Sequence, residues 1–243
     1  MKLIAIPHPK TVSFIVLALN EEAFIETTVR MVIEAVKASR VEHYEIVMID
    51  DGSTDRTGAI MDSLALRLHN IMVLHNRVNQ GLGAAFIRGV GVATYEYVMI
   101  IAGDNIMPRK SITKIVNELG LTDMVLPYMT DDKYRETIRR YGSSGFTRLI
   151  NLMSGHNIRY YNGMVVRRVL FAGEQIQSTG YSLMAECVIK FLAKGATYSE
   201  IGVPHEYPLL LRSNSKALRI NNLMNLAGSL IRLHRAICQS RRS

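Results

Sequence analysis

Three polar stretches interrupt the sequence where apolar runs stop: Asp50-Asp51 after IVMI, Gly81 and Gly83 in NQGLGAA, and Asp104-Asn105 after YVMIIAG. Each admits two chemistries. Adjacent carboxylates at a strand end can cap the following helix or hydrogen-bond a nucleobase or ribose. Glycines at a helix start let backbone amides approach an anion, although Gly83 equally suits close helix packing. Asp104 and Asn105 offer hard oxygen ligands suited to Mg2+ or Mn2+ on a diphosphate, or they cap a helix opening at Pro108.

Placing these residues requires the elements around them. Short apolar runs lie at Val12–Leu17, Glu45–Ile49, Ile71–Leu74, Tyr97–Ile101 and Asp123–Pro127. Helical patterns at Glu21–Ala38, Asp55–Leu68, Leu82–Ala93 and Pro108–Leu119 separate them. Ser53 and Thr54 are expected N-caps for the second helix. Such alternation with short connections predicts a mostly parallel α/β sheet with helices on both faces, and ligands at the carboxyl ends of its strands. Further on, the pattern predicts a basic helix or helix pair after Pro127, a turn at Asn162-Gly163, a helix over Tyr181–Ala193 and a strand over Thr197–Val203.

The chain has 243 residues, 48% hydrophobic and 21% charged, enough for one substantial core and unlike a disordered composition. Cys187 and Cys238 form no disulfide framework and no metal-ligand spacing, so a reducing, cytoplasmic setting is expected. The run Val12–Leu19 is too short to span a bilayer and leads into Asn20, Glu21 and Glu22, so it reads as a strand and not as a leader. A formal net charge of +8 points to an anionic partner. No nucleic-acid recognition motif accompanies it, and phosphorylated substrates account for it equally well.

Taken in order and spacing, FIVLALNEE, IDDGSTD, NQGLGAA and AGDN resemble the family 2 glycosyltransferases of GT-A fold, with the similarity running on to RSNSKAL. The dolichyl-phosphate mannose synthase type, which moves sugar from a nucleotide to a polyprenyl phosphate, is the nearest pattern. The resemblance implies that Leu17, Leu19 and Glu21 border the nucleotide, that Asp51 with Asp50 beside it contacts the base, and that Asp104 meets metal and diphosphate. Asn105 falls in the ligand shell or just outside it. Two departures bear on this: Leu17 stands where the family usually has Pro, and Ala102 where it has the first acid of its DxD motif. Losing that acid is expected to weaken metal binding and need not abolish it, because nucleotide oxygens and waters fill most of a Mg2+ shell.

The same resemblance assigns Glu186 on a late helix, and Arg212 with Lys216 in an Arg-x-x-x-Lys element, to the acceptor side. Arg212 and Lys216 both reach phosphate oxygens from that spacing, as do Arg135 and Arg139 at i and i+4, unless these are solvated charges. Glu186 is a general base, a positioner of Arg212 or a structural residue; an anionic acceptor phosphate needs no base. Residues 1–217 are expected to form the catalytic domain. In the tail, residues 218–243, a stripe of Leu223, Leu226, Leu230, Leu233 and Ile237 flanked by arginines either docks on the domain or lies peripherally on the cytoplasmic membrane face. The expected activity is metal-dependent, inverting transfer from a UDP- or GDP-sugar to a polyprenyl phosphate. The alternatives are transfer to a saccharide hydroxyl in glycan assembly and a non-catalytic nucleotide-sugar-binding relative.

Overall fold

A computed structural model describes residues 8–130, 145, 147–148, 151–152, 155–159, 163–178 and 182–204. Its strands are β1 Thr11–Ala18, β2 His43–Asp50, β3 Ile71–His75, β4 Tyr97–Ala102, β5 Met124–Met129, β6 Val165–Arg167 and β7 Tyr198–Val203. Its helices are α1 Ile25–Lys37, α2 Thr57–Arg67, α3 Leu82–Val92, α4 Arg109–Asn117 and α5 Leu183–Ala193.

The sheet order is β3-β2-β1-β4-β6-β5-β7. β1 pairs in parallel with β2 and β4, β2 with β3, and β5 with β7, whereas β6 is antiparallel to both neighbours. The expectation of a mostly parallel sheet is met.

Burial explains why the parallel strands read as near-continuous apolar runs: all eight residues of β1 are buried. Alternate side chains feed two cores. Val12, Phe14, Val16 and Ala18 meet the inward residues of α1, α2 and α4, while Ile15 and Leu17 join α3 and α5 on the other face. In α1 the buried positions Ile25, Val29, Val32 and Val36 recur at helical spacing, which is what holds it flat on the sheet. Gly89 of α3 lies directly on Ile15, where a Cβ would overlap the isoleucine methyl.

Three expectations needed correction. Helix α1 begins at Ile25 and not at Glu21, because Glu21 is spent on the preceding turn, its carbonyl accepting the Phe24 and Ile25 amides at 2.9 Å. Neither Ser53 nor Thr54 caps α2. The N-cap position, Arg56, makes no side-chain cap, and Asp55 before it accepts the Thr57 amide at 2.9 Å. Finally, β6 falls where no strand was expected. Arg167 fixes it, with Nε 2.7 Å from Glu96 Oε1 and Nη1 3.0 Å from Asp123 Oδ1.

Among the described residues, no helix is long and apolar enough to cross a membrane. Residues 218–243 lie outside them.

Candidate active site at the strand ends

β1 lies between β2 and β4, so the chain direction of connection reverses there, the switch point at whose carboxyl ends open α/β sheets bind ligands. Register and loop hydrogen bonds continue the sheet past its strands. Leu17 faces Ala102 and Ala18 faces Asp50. Beyond them, Asp51 N donates to Ala18 O at 2.9 Å, Asn76 N to Asp50 O at 2.8 Å, and Gly103 N to Leu17 O at 2.8 Å. The four sequence motifs therefore end on one edge.

The β1 loop is braced against the β2 loop. Asn20, with φ 58°, accepts the Thr54 amide on Oδ1 at 2.8 Å, and Glu21 N donates to Thr57 Oγ1 at 2.8 Å. Leu19 is half-buried just past the strand. Leu17, at the end of β1, has its side chain in the core and its carbonyl accepting from the Gly103 amide.

Asp50 and Asp51 are both buried but do different work. Asp50 accepts the Ser53 amide at 2.9 Å and bonds His75 Nδ1 at 3.0 Å, so it is turned toward β3 and its own turn. Gly58 makes room for this contact, since a Cβ there would sit 2.7 Å from Asp50 Oδ2. Asp51 gathers the β3–α3 loop. Its Oδ1 accepts Asn76 Nδ2 at 2.7 Å and the Gln80 amide at 2.9 Å, and its Oδ2 accepts the Gly81 amide at 2.9 Å. A carboxylate has about four acceptor sites, so Asp51 retains capacity for one further donor.

Gly81 is engaged within the fold. Its amide is given to Asp51 and to Asn79 Oδ1, so an anion of the chain itself already occupies the position foreseen for a ligand. The loop is pressed close: a Cβ at Gly52, whose φ is 80°, would stand 2.7 Å from Asn79 N. Sequence reasoning missed Asn76, a buried amide at a strand end that is the structural partner of Asp51.

Asp104 stands past the end of β4, across β1 from Asp51, and follows a well-held glycine. Gly103 is held through its amide by Leu17, and through its carbonyl by Thr28 Oγ1 of α1 at 2.9 Å. A Cβ on Gly103 would be 3.0 Å from Leu17 O and from Ala18 Cβ, a tight fit between β1 and β4. Thr28, a lone hydroxyl on the apolar face of α1, gave no sequence signal.

The helix-capping alternative for Asp104 and Asn105 does not hold, because α4 has no side-chain cap. Asp104 Oδ1 instead accepts the Ile106 amide at 3.3 Å. Asn105 adopts φ 58°, and its Oδ1 is buried with no hydrogen-bond partner among the described residues. Such an orphaned oxygen costs about 1–3 kcal/mol. Ala102 is exposed and contributes only a methyl group.

No group of three His, Cys, Asp or Glu side chains able to hold a metal occurs among the described residues. A carboxylate beside an orphaned amide oxygen fits a divalent cation whose remaining ligands come from a substrate diphosphate and water.

Glu186 sits in the first turn of α5, 5% exposed. Its Oε2 accepts the Ser178 amide at 2.8 Å and its Oε1 the Gln177 amide at 3.0 Å, and Lys190 Nζ lies 2.9 Å from Oε1. Burial pushes this carboxyl up, but the Ser178 and Gln177 donors and the Lys190 ammonium outweigh it and hold it below the usual glutamate range. Ionised and hydrogen-bonded on both oxygens, Glu186 is a strut for the 177–178 segment and poorly disposed to take a proton. Arg135, Arg139, Arg212 and Lys216 lie outside the described residues.

The profile of Glycosyl transferase family 2 matches residues 13–172, about two thirds of the sequence and all four strand-end motifs. The undecaprenyl-phosphate 4-deoxy-4-formamido-L-arabinose transferase of Pseudomonas paraeruginosa is 28% identical over 232 residues, 90% of this chain and 64% of that protein. A dolichyl-phosphate beta-glucosyltransferase of Trichomonas vaginalis is 33% identical over 112 residues, 44% of this chain and 34% of that one. The chain thus spans between about a third and two thirds of the length of these relatives. Glucosyl-3-phosphoglycerate synthase from Mycobacterium tuberculosis, solved with Mn2+, UDP and phosphoglyceric acid, shares the fold at TM-score 0.68. It is 17% identical, with 94% of this chain and 78% of that one covered. With its motifs aligned on one sheet edge and the family profile extending across β1 to β6, the chain belongs to glycosyl transferase family 2.

Proposed function

We propose that this chain transfers a glycosyl group, with inversion, from a nucleoside diphosphate sugar such as a UDP- or GDP-sugar to the phosphate of a polyprenyl-type acceptor. The observation that carries the reading is the convergence of Asp51, its braced loop and Asp104 at the reversal point of the sheet. Mg2+ or Mn2+ at Asp104 would neutralise charge building on the departing diphosphate. The Asp51-braced loop and the Leu19–Glu21 segment would border the nucleotide. An acceptor phosphate oxygen forms the new bond to the anomeric carbon while the bond to the donor diphosphate breaks, its electron pair leaving with the diphosphate.

A phosphate monoester is already anionic at neutral pH, so no proton has to be removed. The engaged, ionised state of Glu186 supports that acceptor class over a saccharide hydroxyl, which needs a general base. The acceptor named in the Pseudomonas and Trichomonas relatives points the same way. Arg135, Arg139, Arg212 and Lys216 remain the proposed acceptor-phosphate contacts, and the basic tail a proposed peripheral membrane contact on the cytoplasmic side.

Ala102 favours one other reading, a protein that binds nucleotide sugars without turning them over. Thermal-shift screening of UDP-, GDP-, CDP- and dTDP-sugars with Mg2+, Mn2+ or EDTA, followed by turnover with undecaprenyl phosphate or free sugars, separates these. Metal-dependent transfer to the lipid phosphate supports the proposal. Binding without transfer or donor hydrolysis supports the alternative, and transfer only to free sugars contradicts the acceptor assignment.

A further inference from the structure

Asn20 and Asn105 are the two described non-glycine residues with left-handed backbones, both at φ 58° and both just past the carboxyl ends of neighbouring strands. Asparagine tolerates this region better than most residues, so its presence alone needs no ligand. Their side chains differ. The Asn20 oxygen is used twice within the fold, by the Thr54 amide at 2.8 Å and the Thr54 hydroxyl at 3.3 Å. Asn20 is exposed, whereas the Asn105 oxygen is withdrawn from solvent and meets no donor among the described residues.

A buried oxygen left without a donor is suited to a cation, which a carbonyl-type oxygen ligates without needing a hydrogen. The neighbouring residue is the carboxylate of Asp104, and the residue three positions earlier, Ala102, brings no ligand atom. From this orphaned oxygen, carried by the residue that directly follows Asp104 in the chain, we propose that Asn105 is a direct ligand of the divalent cation, replacing with a neutral oxygen the contact that Ala102 does not make. This deepens the glycosyl-transfer reading and rests on it.

The consequences differ from those of a two-carboxylate site. One negative charge fewer on the protein makes cation binding depend strongly on the diphosphate, so metal and nucleotide bind together. A carboxylate introduced at position 102 or 105 strengthens cation binding. Because Asn105 and an acid at 102 do the same work, the second makes the first dispensable.

The test is Mn2+ binding followed by the electron paramagnetic resonance of free Mn2+, with UDP and with GDP in parallel arms, on purified full-length protein. Asn105→Gly removes the oxygen while suiting the left-handed backbone, so its melting temperature is expected to equal or exceed that of the wild type. Its Mn2+ affinity in the nucleotide complex should fall about tenfold. Asn105→Asp and Ala102→Asp should each raise that affinity, and Asn105→Gly in the Ala102→Asp background should change it little. Unchanged Mn2+ affinity in Asn105→Gly, with nucleotide and metal still bound by the wild type, overturns this inference alone. A wild type that binds neither nucleotide with Mn2+ overturns the glycosyl-transfer reading and this inference together.

Discussion

His75 Nδ1 lies 3.0 Å from Asp50 Oδ2 while its Nε2 lies 3.1 Å from Asp62 Oδ1, so one imidazole links the end of β2 to the flank of α2. The Asp50 bond raises the His75 pKa above its ordinary 6.5, burial opposes it, and Asp62 adds to the rise. For Asp50, burial pushes upward but the Ser53 and His75 donors win, holding it below its usual 3.8. The stabilisation from His75 is therefore complete below about pH 6.5 and lost as pH rises through the elevated folded value. That from Asp50 is present above about pH 3.8 and lost on acidification through the depressed one. We expect the wild type to lose melting temperature above pH 6.5 by more than His75→Gln does. NMR titration of the His75 ring gives the matching pKa, and a value at or below 6.5 contradicts the bridge.

Asp51 tethers three donors of the β3–α3 loop from within the core. Asp51→Ala leaves the Asn76 amide and two backbone N–H groups without it, and we expect a loss of about 3 kcal/mol in denaturant unfolding. Hydrogen exchange should show the Gln80 and Gly81 amides opening well ahead of the rest of the sheet. Protection unchanged at both amides would show that Asp51 does not organise the loop.

Much of this arrangement was legible in the sequence because buried parallel strands are unbroken apolar runs, and their ends are marked by the first polar residues. That logic placed Asp50, Asp51 and Asp104 at or just past the ends of β2 and β4. It could not tell which of two adjacent acids faces β3 and which faces the loop, because that depends on Asn76 and His75, brought in by register from 25 residues away. It also missed β6, whose three residues VVR are too few for a period and are held by Arg167 bonds to Glu96 and Asp123. The engagement of the Gly81 amide by Asp51 was likewise invisible, because that carboxylate comes from 30 residues away.

Arg167 supplies a check on that strand. Its guanidinium is mostly buried and spans the start of β4 and the start of β5. Arg167→Met should destabilise the fold by about 1–3 kcal/mol, since both carboxylates lose a donor. Urea unfolding measures it, and a change within 0.5 kcal/mol, about the size of an ordinary surface substitution, would deny β6 this anchor.

Glu186→Gln separates strut from base. A lost general base costs about 10²–10⁴-fold in rate. As a strut, the glutamine keeps the side-chain length but weakens the Lys190 and amide contacts, so we expect a lower melting temperature and a kcat within about tenfold of wild type. The pH–rate profile should not lose an acidic limb, whereas a profile flattened on that side, with kcat down a thousandfold, would restore the base role.

In the proposed reaction Asp104 is the protein carboxylate that joins cation and donor diphosphate. Isothermal titration of the preferred nucleoside diphosphate into wild type and Asp104→Asn, each with Mg2+ and with EDTA, addresses it directly. We predict that Mg2+ tightens binding to the wild type by tenfold or more, about 1.4 kcal/mol, and that this gain disappears in Asp104→Asn while the melting temperature holds. An equal Mg2+-dependent gain in both proteins would contradict it.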